Sequence, residues 1–344
     1  MKTAVMTGIR KMGFEERPMP KPKAGEVLVK LEYVGICGSD IHYYESGAIG
    51  DYVVEPPFVL GHEPGGTVVE VGPGIDSLKP GDRVALEPGK TCGRCEFCKT
   101  GRYNLCPDVE FFATPPVDGV FQEYVAHPAD LCFKLPENVS TLEGALMEPL
   151  AVGFHAAKQG GAQFGQKAVV LGAGCIGLVT MMALKACGVA QVYVVDLLEN
   201  RLQKALELGA DAVVNPQKED AHSRILALTN GKGADLLVET AGSEATTRLC
   251  IAAAKRGGTV VLVGYSRTGE LTLPISLLID KELTVKTVFR YRNLYPLAIE
   301  SVARGLVNLK GIVTDIYPLS EAPRAMEDSV LRKSEIVKAV LKIS

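Results

Sequence analysis

Hydrophobic and polar positions change rhythm twice along the chain. Up to about residue 149 the pattern is that of strands and turns. Val27, Val29, Leu31 and Tyr33 recur at every second position, as do Thr67, Val69 and Val71, which predicts half-buried strands. Pro and Gly punctuate this stretch densely, at Met19–Glu26, Glu70–Asp82 and Ala113–Gly119. From about 150 to 288, short apolar runs alternate with helical patterns. Strands are expected at Lys167–Gly172, Gln191–Asp196, Ala212–Asn215, Asp235–Glu239, Thr259–Gly264 and Leu283–Phe289. Helices are expected between the first five, around Ile176–Cys187, Asn200–Leu208, Ala221–Thr229 and Glu244–Lys255. Alternation of this kind predicts an α/β fold with a doubly wound parallel sheet. The last stretch, 289–344, carries helical segments near Leu294–Gly305 and Glu321–Leu331 and a strand-like Ile336–Ile343. It is too short for a core of its own and is expected to return and complete the first, β-rich domain.

Composition narrows the function classes. The 344 residues carry 37 Lys+Arg against 40 Asp+Glu, a net charge of −3 that offers no basic surface for nucleic acid. The longest uncharged run, Ala168–Leu184, is shorter than the roughly 20 residues a membrane helix needs. The opening residues lack the apolar core of a signal peptide. Four of the nine cysteines fall between residues 92 and 106, which points to a metal site in a reducing, cytoplasmic setting rather than a disulfide framework.

Gly172-Ala173-Gly174-Cys175-Ile176-Gly177 is a G-x-G-x-x-G that follows one strand pattern and opens a helical one. The first glycine permits the tight turn, the second lets a pyrophosphate approach the backbone, and the third lets helix and strand pack closely. The helix N-terminus then faces the phosphates with its positive end. Asp196 ends the next strand nineteen residues after Gly177, where an acid binds ribose hydroxyls and repels a 2′-phosphate; this favours NAD over NADP. Alternatively, Asp196 is a turn residue. Arg201 has three readings: an exposed helix residue, a cover for the adenine ribose, or a partner for a 2′-phosphate that Asp196 disfavours.

Cys92, Cys95, Cys98 and Cys106 form C-x2-C-x2-C-x7-C, four thiolates on one short loop that suit a closed, structural zinc. Gly93 and Gly101 fit a tightly wound lobe. A second set is scattered: Cys37, His62-Glu63 and Glu148. Taken singly, each has a packing explanation, and spacing alone does not bring them together. Converged, they would make a mixed S/N/O zinc site with a position open for chemistry. Cys132, Cys175, Cys187 and Cys250 read as small packing residues.

These motifs, in this order, resemble the zinc-dependent medium-chain dehydrogenases over essentially the whole chain, and within them the polyol dehydrogenases. The segments that carry the resemblance are Gly35–Asp40, Gly61–Gly72, the four-cysteine lobe, Glu148–Val152 and the glycine turn, with Asp40–Glu63, Phe111–Gly119 and Val288–Pro296 pointing to polyols. The resemblance implies a GroES-like catalytic domain over 1–149, a Rossmann domain over 150–288 and a return segment over 289–344. It implies Cys37, His62 and Glu63 as catalytic zinc ligands. Glu148 would stand beside the metal, ligating directly or through water, and Asp40 would orient the ligand histidine. Ser39 would take the substrate proton and His42 relay it. Tyr43, Phe111, Arg290 and Tyr291 would line the polyol pocket, with Ser39 and Glu148 also touching substrate. Gly172, Gly174, Cys175, Ile176, Gly177, Asp196, Arg201, Val263, Gly264, Tyr265, Val288, Phe289 and Arg290 would contact NAD. Animal enzymes of this type often lack the full four-cysteine lobe; this chain has all four, which implies two zincs per chain and loosens any transfer of substrate preference. The implied reaction is reversible oxidation of a secondary alcohol in a cleft at the carboxyl ends of the strands, by a cytoplasmic homotetramer acting on a small polyol or ketose.

Overall fold

The computed structural model describes residues 1–266 and 269–344 and forms two compact units. The first comprises Met1–Glu148, Tyr295–Ala303 and Leu309–Ser344; the second, Pro149–Leu294 and Arg304–Asn308.

The first unit is built on a seven-stranded sheet. Its path runs Cys132–Lys134, Arg83–Leu86, Glu63–Val71, Glu26–Gly35, Lys338–Lys342 and Val313–Pro318, with Tyr124–Pro128 also paired to Glu26–Gly35. The chain's last strand therefore lies antiparallel to its third, with Val340 opposite Gly35. Glu26–Gly35 has three strand neighbours, and Leu28 and Val34 are buried along with Val27, Val29 and Leu31, so both faces of the strand are covered where alternation alone implied one. In Glu63–Val71 the intervening Val68 is buried, whereas Val69, expected on the covered face, is 39% exposed. Two register shifts against Glu26–Gly35 offset the period-2 pattern, because each extra residue turns the following side chains to the other face. Leu31, Leu60, Leu86, Phe121 and Leu341 belong to this unit's core.

The second unit holds six parallel strands in the order Ala212–Val214, Gln191–Val195, Lys167–Leu171, Ala234–Glu239, Ala254–Leu262 and Thr284–Thr287. Numbered along the chain this is 3-2-1-4-5-6, the doubly wound order, with its switch point between the first and fourth strands. Helices Cys175–Ala186, Glu199–Glu207, Ala221–Leu228 and Glu244–Ala253 occupy the connections. Val169, Leu171, Tyr193, Leu237 and Val260 pack in the core beneath them. Asp220 and Ser243 cap two of these helices through their side chains. Cys187, read as a packing residue, is exposed: it stands at the C-cap of Cys175–Ala186, where the chain leaves the core for the turn at Gly188. Cys132 and Cys250 are buried. Among the described residues no helix is long and apolar enough to cross a membrane.

Candidate active site

Three of the scattered donors converge. One ligand atom each from Cys37, His62 and Glu63 lies within 4.8 Å of the others. The fold brings them together through two adjacent strands. Cys37 follows Glu26–Gly35 and forms the N-cap of helix Gly38–Ser46; Glu63 opens the next strand directly opposite Gly35. Asp40, fully buried, ties the two segments: its carboxylate accepts the Cys37 N–H at 2.9 Å and the Gly61 N–H at 2.8 Å. Gly61 has φ +91°, and a Cβ there would lie 2.3 Å from the buried Phe121 ring, so the turn that delivers His62 requires glycine.

The pocket favours a cation. Burial works against an imidazolium at His62, yet Asp40 and then Cys37 outweigh it and hold the His62 pKa well above histidine's ordinary value. His62 Nδ1 is 3.7 Å from Asp40 Oδ1, an attraction longer than a hydrogen bond. Glu63 is 1% exposed. Both its oxygens lie against the Lys338 ammonium, Oε1 at 2.6 Å and Oε2 at 2.5 Å. A thiol, an imidazole and a buried carboxylate gathered this closely suit one zinc ion.

Ser39, His42 and Tyr43 lie three and four residues apart on Gly38–Ser46, along one face. Ser39 is half-buried, His42 exposed and Tyr43 buried. The Phe111 ring packs on His62 with centroids 5.6 Å apart. Glu148 is buried on the first turn of helix Met147–Gly160, a helix not anticipated from the sequence, and is not among the three donors that converge within 4.8 Å.

The four-cysteine lobe also closes as a cluster, its ligand atoms again within 4.8 Å. Sγ of Cys92 is 3.5 Å from that of Cys106 and 4.0 Å from that of Cys98, far beyond a disulfide bond. A tetrahedral shell at about 2.3 Å per Zn–S bond has sulfurs about 3.8 Å apart, so these spacings fit zinc. The N–H groups of Arg94 and Cys95 pull the Cys92 thiol down to about 7, while burial pushes Cys106 up to about 11. Gly93 and Gly101 take φ +67° and +71° in the turns that wrap the lobe.

In the second unit the glycine turn has the form its motif requires. Gly172 takes φ +103°, and a Cβ on Gly177 would lie 1.8 Å from the Gly172 carbonyl oxygen, so helix Cys175–Ala186 approaches the strand only because that residue is glycine. Gly174 is the N-cap of this helix, which Cys175 and Ile176 open. Asp196 braces the turn: Oδ2 accepts the Ala173 N–H at 2.6 Å and Oδ1 the Leu198 N–H at 2.9 Å. Arg201 Nη1 lies 3.8 Å from where a Gly174 Cβ would stand. Val263 and Gly264 donate to the Glu239 carbonyl at 2.9 and 3.2 Å; Tyr265 is 74% exposed. Val288 donates to Leu262, the Phe289 ring lies under the Arg290 guanidinium at 4.9 Å, and Tyr291 is buried. Sequence reading missed Glu239 and Thr240 at the switch point. Glu239 accepts the N–H groups of Ala241 and Gly242 at 2.8 and 2.9 Å, and Thr240 Oγ1 donates to Leu171 O at 2.9 Å. Neither stands in a motif; an acid ending a strand was the signal available.

Comparison with known proteins agrees with this geometry. Residues 23–137 match the model of the alcohol dehydrogenase GroES-like domain and residues 175–304 that of the zinc-binding dehydrogenases. The chain is 45% identical over 341 residues to a sorbitol dehydrogenase of Bacillus subtilis (strain 168), covering 99% of this chain and 97% of that one. It is 45% identical over 340 residues to the sorbitol dehydrogenase of Homo sapiens, covering 98% and 94%. A solved structure of an Escherichia coli oxidoreductase/dehydrogenase of unknown specificity superposes with TM-score 0.96 at 44% identity, covering 100% of this chain and 99% of that chain.

Proposed function

We propose, from the premise that the chain belongs to the zinc-binding dehydrogenases with an alcohol dehydrogenase GroES-like domain, that it oxidises a polyol at a secondary hydroxyl to the ketose, reversibly, with NAD. The observation that carries this reading is the convergence of Cys37, His62 and Glu63 beside the Ser39–His42–Tyr43 face. The sorbitol dehydrogenases among its relatives give the substrate class.

When bound, zinc supplies Lewis acidity to the substrate hydroxyl and the nicotinamide ring accepts the hydride. Cys37, His62 and Glu63 hold the metal, with Glu148 beside it, and Asp40 fixes the backbone of two of these ligand segments. Ser39 Oγ receives the substrate proton and His42 passes it to solvent. Tyr43, Phe111, Arg290 and Tyr291 orient the polyol; a guanidinium with five donors suits a row of hydroxyls. In the second unit Gly172, Gly174 and Gly177 admit the pyrophosphate, and Asp196 selects NAD by repelling a 2′-phosphate. Val263, Gly264, Tyr265, Val288 and Phe289 belong to the same cofactor proposal. The four-cysteine lobe holds a second, structural zinc. A cytoplasmic homotetramer completes the proposal, resting on the family resemblance and on cysteines that cluster for metal.

A substrate panel tests it: initial rates of NADH formation with sorbitol, xylitol, threonine and simple secondary alcohols. The expected result is turnover that prefers a polyol. Turnover with threonine or simple alcohols alone would reject the polyol assignment while leaving the metal chemistry standing.

A further inference from the structure

Lys338 opens the chain's last strand, Lys338–Lys342, at only 2% exposed, and nothing in the reaction just described uses it. Its ammonium reaches both segments that carry the converged donors. It donates to the carbonyl of Ile36 at 2.9 Å, the residue before Cys37, and to Glu63 Oε1 at 2.6 Å. One cation from the chain's last strand thus grips both ligand-bearing segments from behind.

The backbone is arranged to admit this contact. Gly35 is opposite Glu63 on one side and Val340 on the other. A Cβ on Gly35 would lie 1.9 Å from Glu63 Oε2 and 3.0 Å from Lys338 Cε. The space above Gly35 is filled by the ion pair instead. Both Glu63 oxygens lie against the ammonium, Oε1 at 2.6 Å and Oε2 at 2.5 Å, which fixes the carboxylate in place.

We infer that Lys338 is a positioning residue for the catalytic metal: its ammonium, held at the Ile36 carbonyl and against both Glu63 oxygens, fixes the Glu63 carboxylate beside Cys37 and His62. This inference rests on reading those three residues as a metal site. Groups that orient a metal's ligands set its affinity, and their loss typically weakens binding about 10–100-fold. The ammonium also repels a dication. Its hydrogen bonds to the Ile36 carbonyl and to Glu63 hold it in place, so its loss is expected to cost more in ligand orientation than it relieves in repulsion.

The test is chelator competition on the full-length, zinc-loaded protein, reading zinc retained per chain. Wild type is expected to release zinc in two phases, one of which Cys37→Ser removes. Lys338→Met is expected to weaken that same phase about 10–100-fold and to leave the four-cysteine phase in place. Lys338→Arg, which restores a cation and donors, is expected to recover most of the loss. The cobalt-substituted protein gives a second readout, a change in the absorption of the mixed-donor site in Lys338→Met and its return in Lys338→Arg. An unchanged or tighter phase in Lys338→Met overturns the inference and leaves the site reading intact. A shift of both phases with a lowered melting temperature and no rescue by arginine reduces Lys338 to a structural role and also overturns it. A wild type without any phase sensitive to Cys37→Ser removes the site reading, and this inference with it.

Discussion

Asp40→Asn is the sharpest perturbation of the proposed centre, because it changes one atom of a side chain that no substrate touches. The Asp40 carboxylate is fully buried and accepts two backbone N–H groups, from Cys37 at 2.9 Å and Gly61 at 2.8 Å. An asparagine offers one oxygen and one NH2. One N–H keeps its acceptor, and the other faces a second donor in a site closed to water. Leaving a buried donor unsatisfied costs about 1–3 kcal/mol. The same change removes the main attraction that favours a cation at His62. We therefore expect a folded protein with a modestly lowered melting temperature. Its affinity for zinc at the mixed-donor site should be about 10–100-fold weaker. The assay is zinc retention against a chelator, read beside thermal unfolding. Wild-type retention at wild-type stability would refute the reasoning, because it would mean that two short hydrogen bonds from the ligand segments do not fix the ligands.

Three further outcomes follow from the geometry. Cys95→Ala should release one zinc per chain and lower the melting temperature more than it alters substrate preference; two zincs at unchanged stability would reject the structural site. Asp196→Ala should lower NAD affinity and the NAD/NADP preference together, since the carboxylate also braces the turn through Ala173 and Leu198, and the ratio of kcat/KM for the two cofactors measures it. His127 and Glu87 give a paired pH test. Burial holds the His127 pKa at about 4, so on acidification from 6.5 the unfolded chain binds its proton first and stability falls, by about 3 kcal/mol in all. Burial pushes Glu87 up to about 7, so its contribution is full below about 4.5 and lost as pH rises through 7, by a similar amount and in the opposite sense. Glu87→Gln should therefore expose the acid lability of His127, as a fall in the urea midpoint between pH 6.5 and 4.5 that wild type lacks.

What was legible in the sequence is what is local. The glycine turn needs a strand before it, a helix after it and an acid at the next strand end, all within 30 residues, and the observed turn has each. The cysteine lobe is likewise one short segment, and its sulfurs cluster. Helix Met147–Gly160 was missed because eleven of its fourteen positions are buried, which erases the period that betrays a surface helix. The covered face of Glu63–Val71 was misread because register shifts are invisible in an alternation pattern. The contact between Lys338 and Glu63 spans 275 positions and depends on a glycine between them. Only the pairing of the last strand with the third brings these residues together.

Polyol oxidation at the Cys37–His62–Glu63 centre is open to a single decisive comparison. The most direct measurement is the initial rate of NADH formation from NAD and a polyol, in wild type and in Cys37→Ser, with zinc content and NADH binding measured on the same samples. Cys37→Ser is expected to keep its four-cysteine zinc, its fold and its NADH binding and to lose turnover. Wild-type turnover in a Cys37→Ser protein that lacks the second zinc would contradict it.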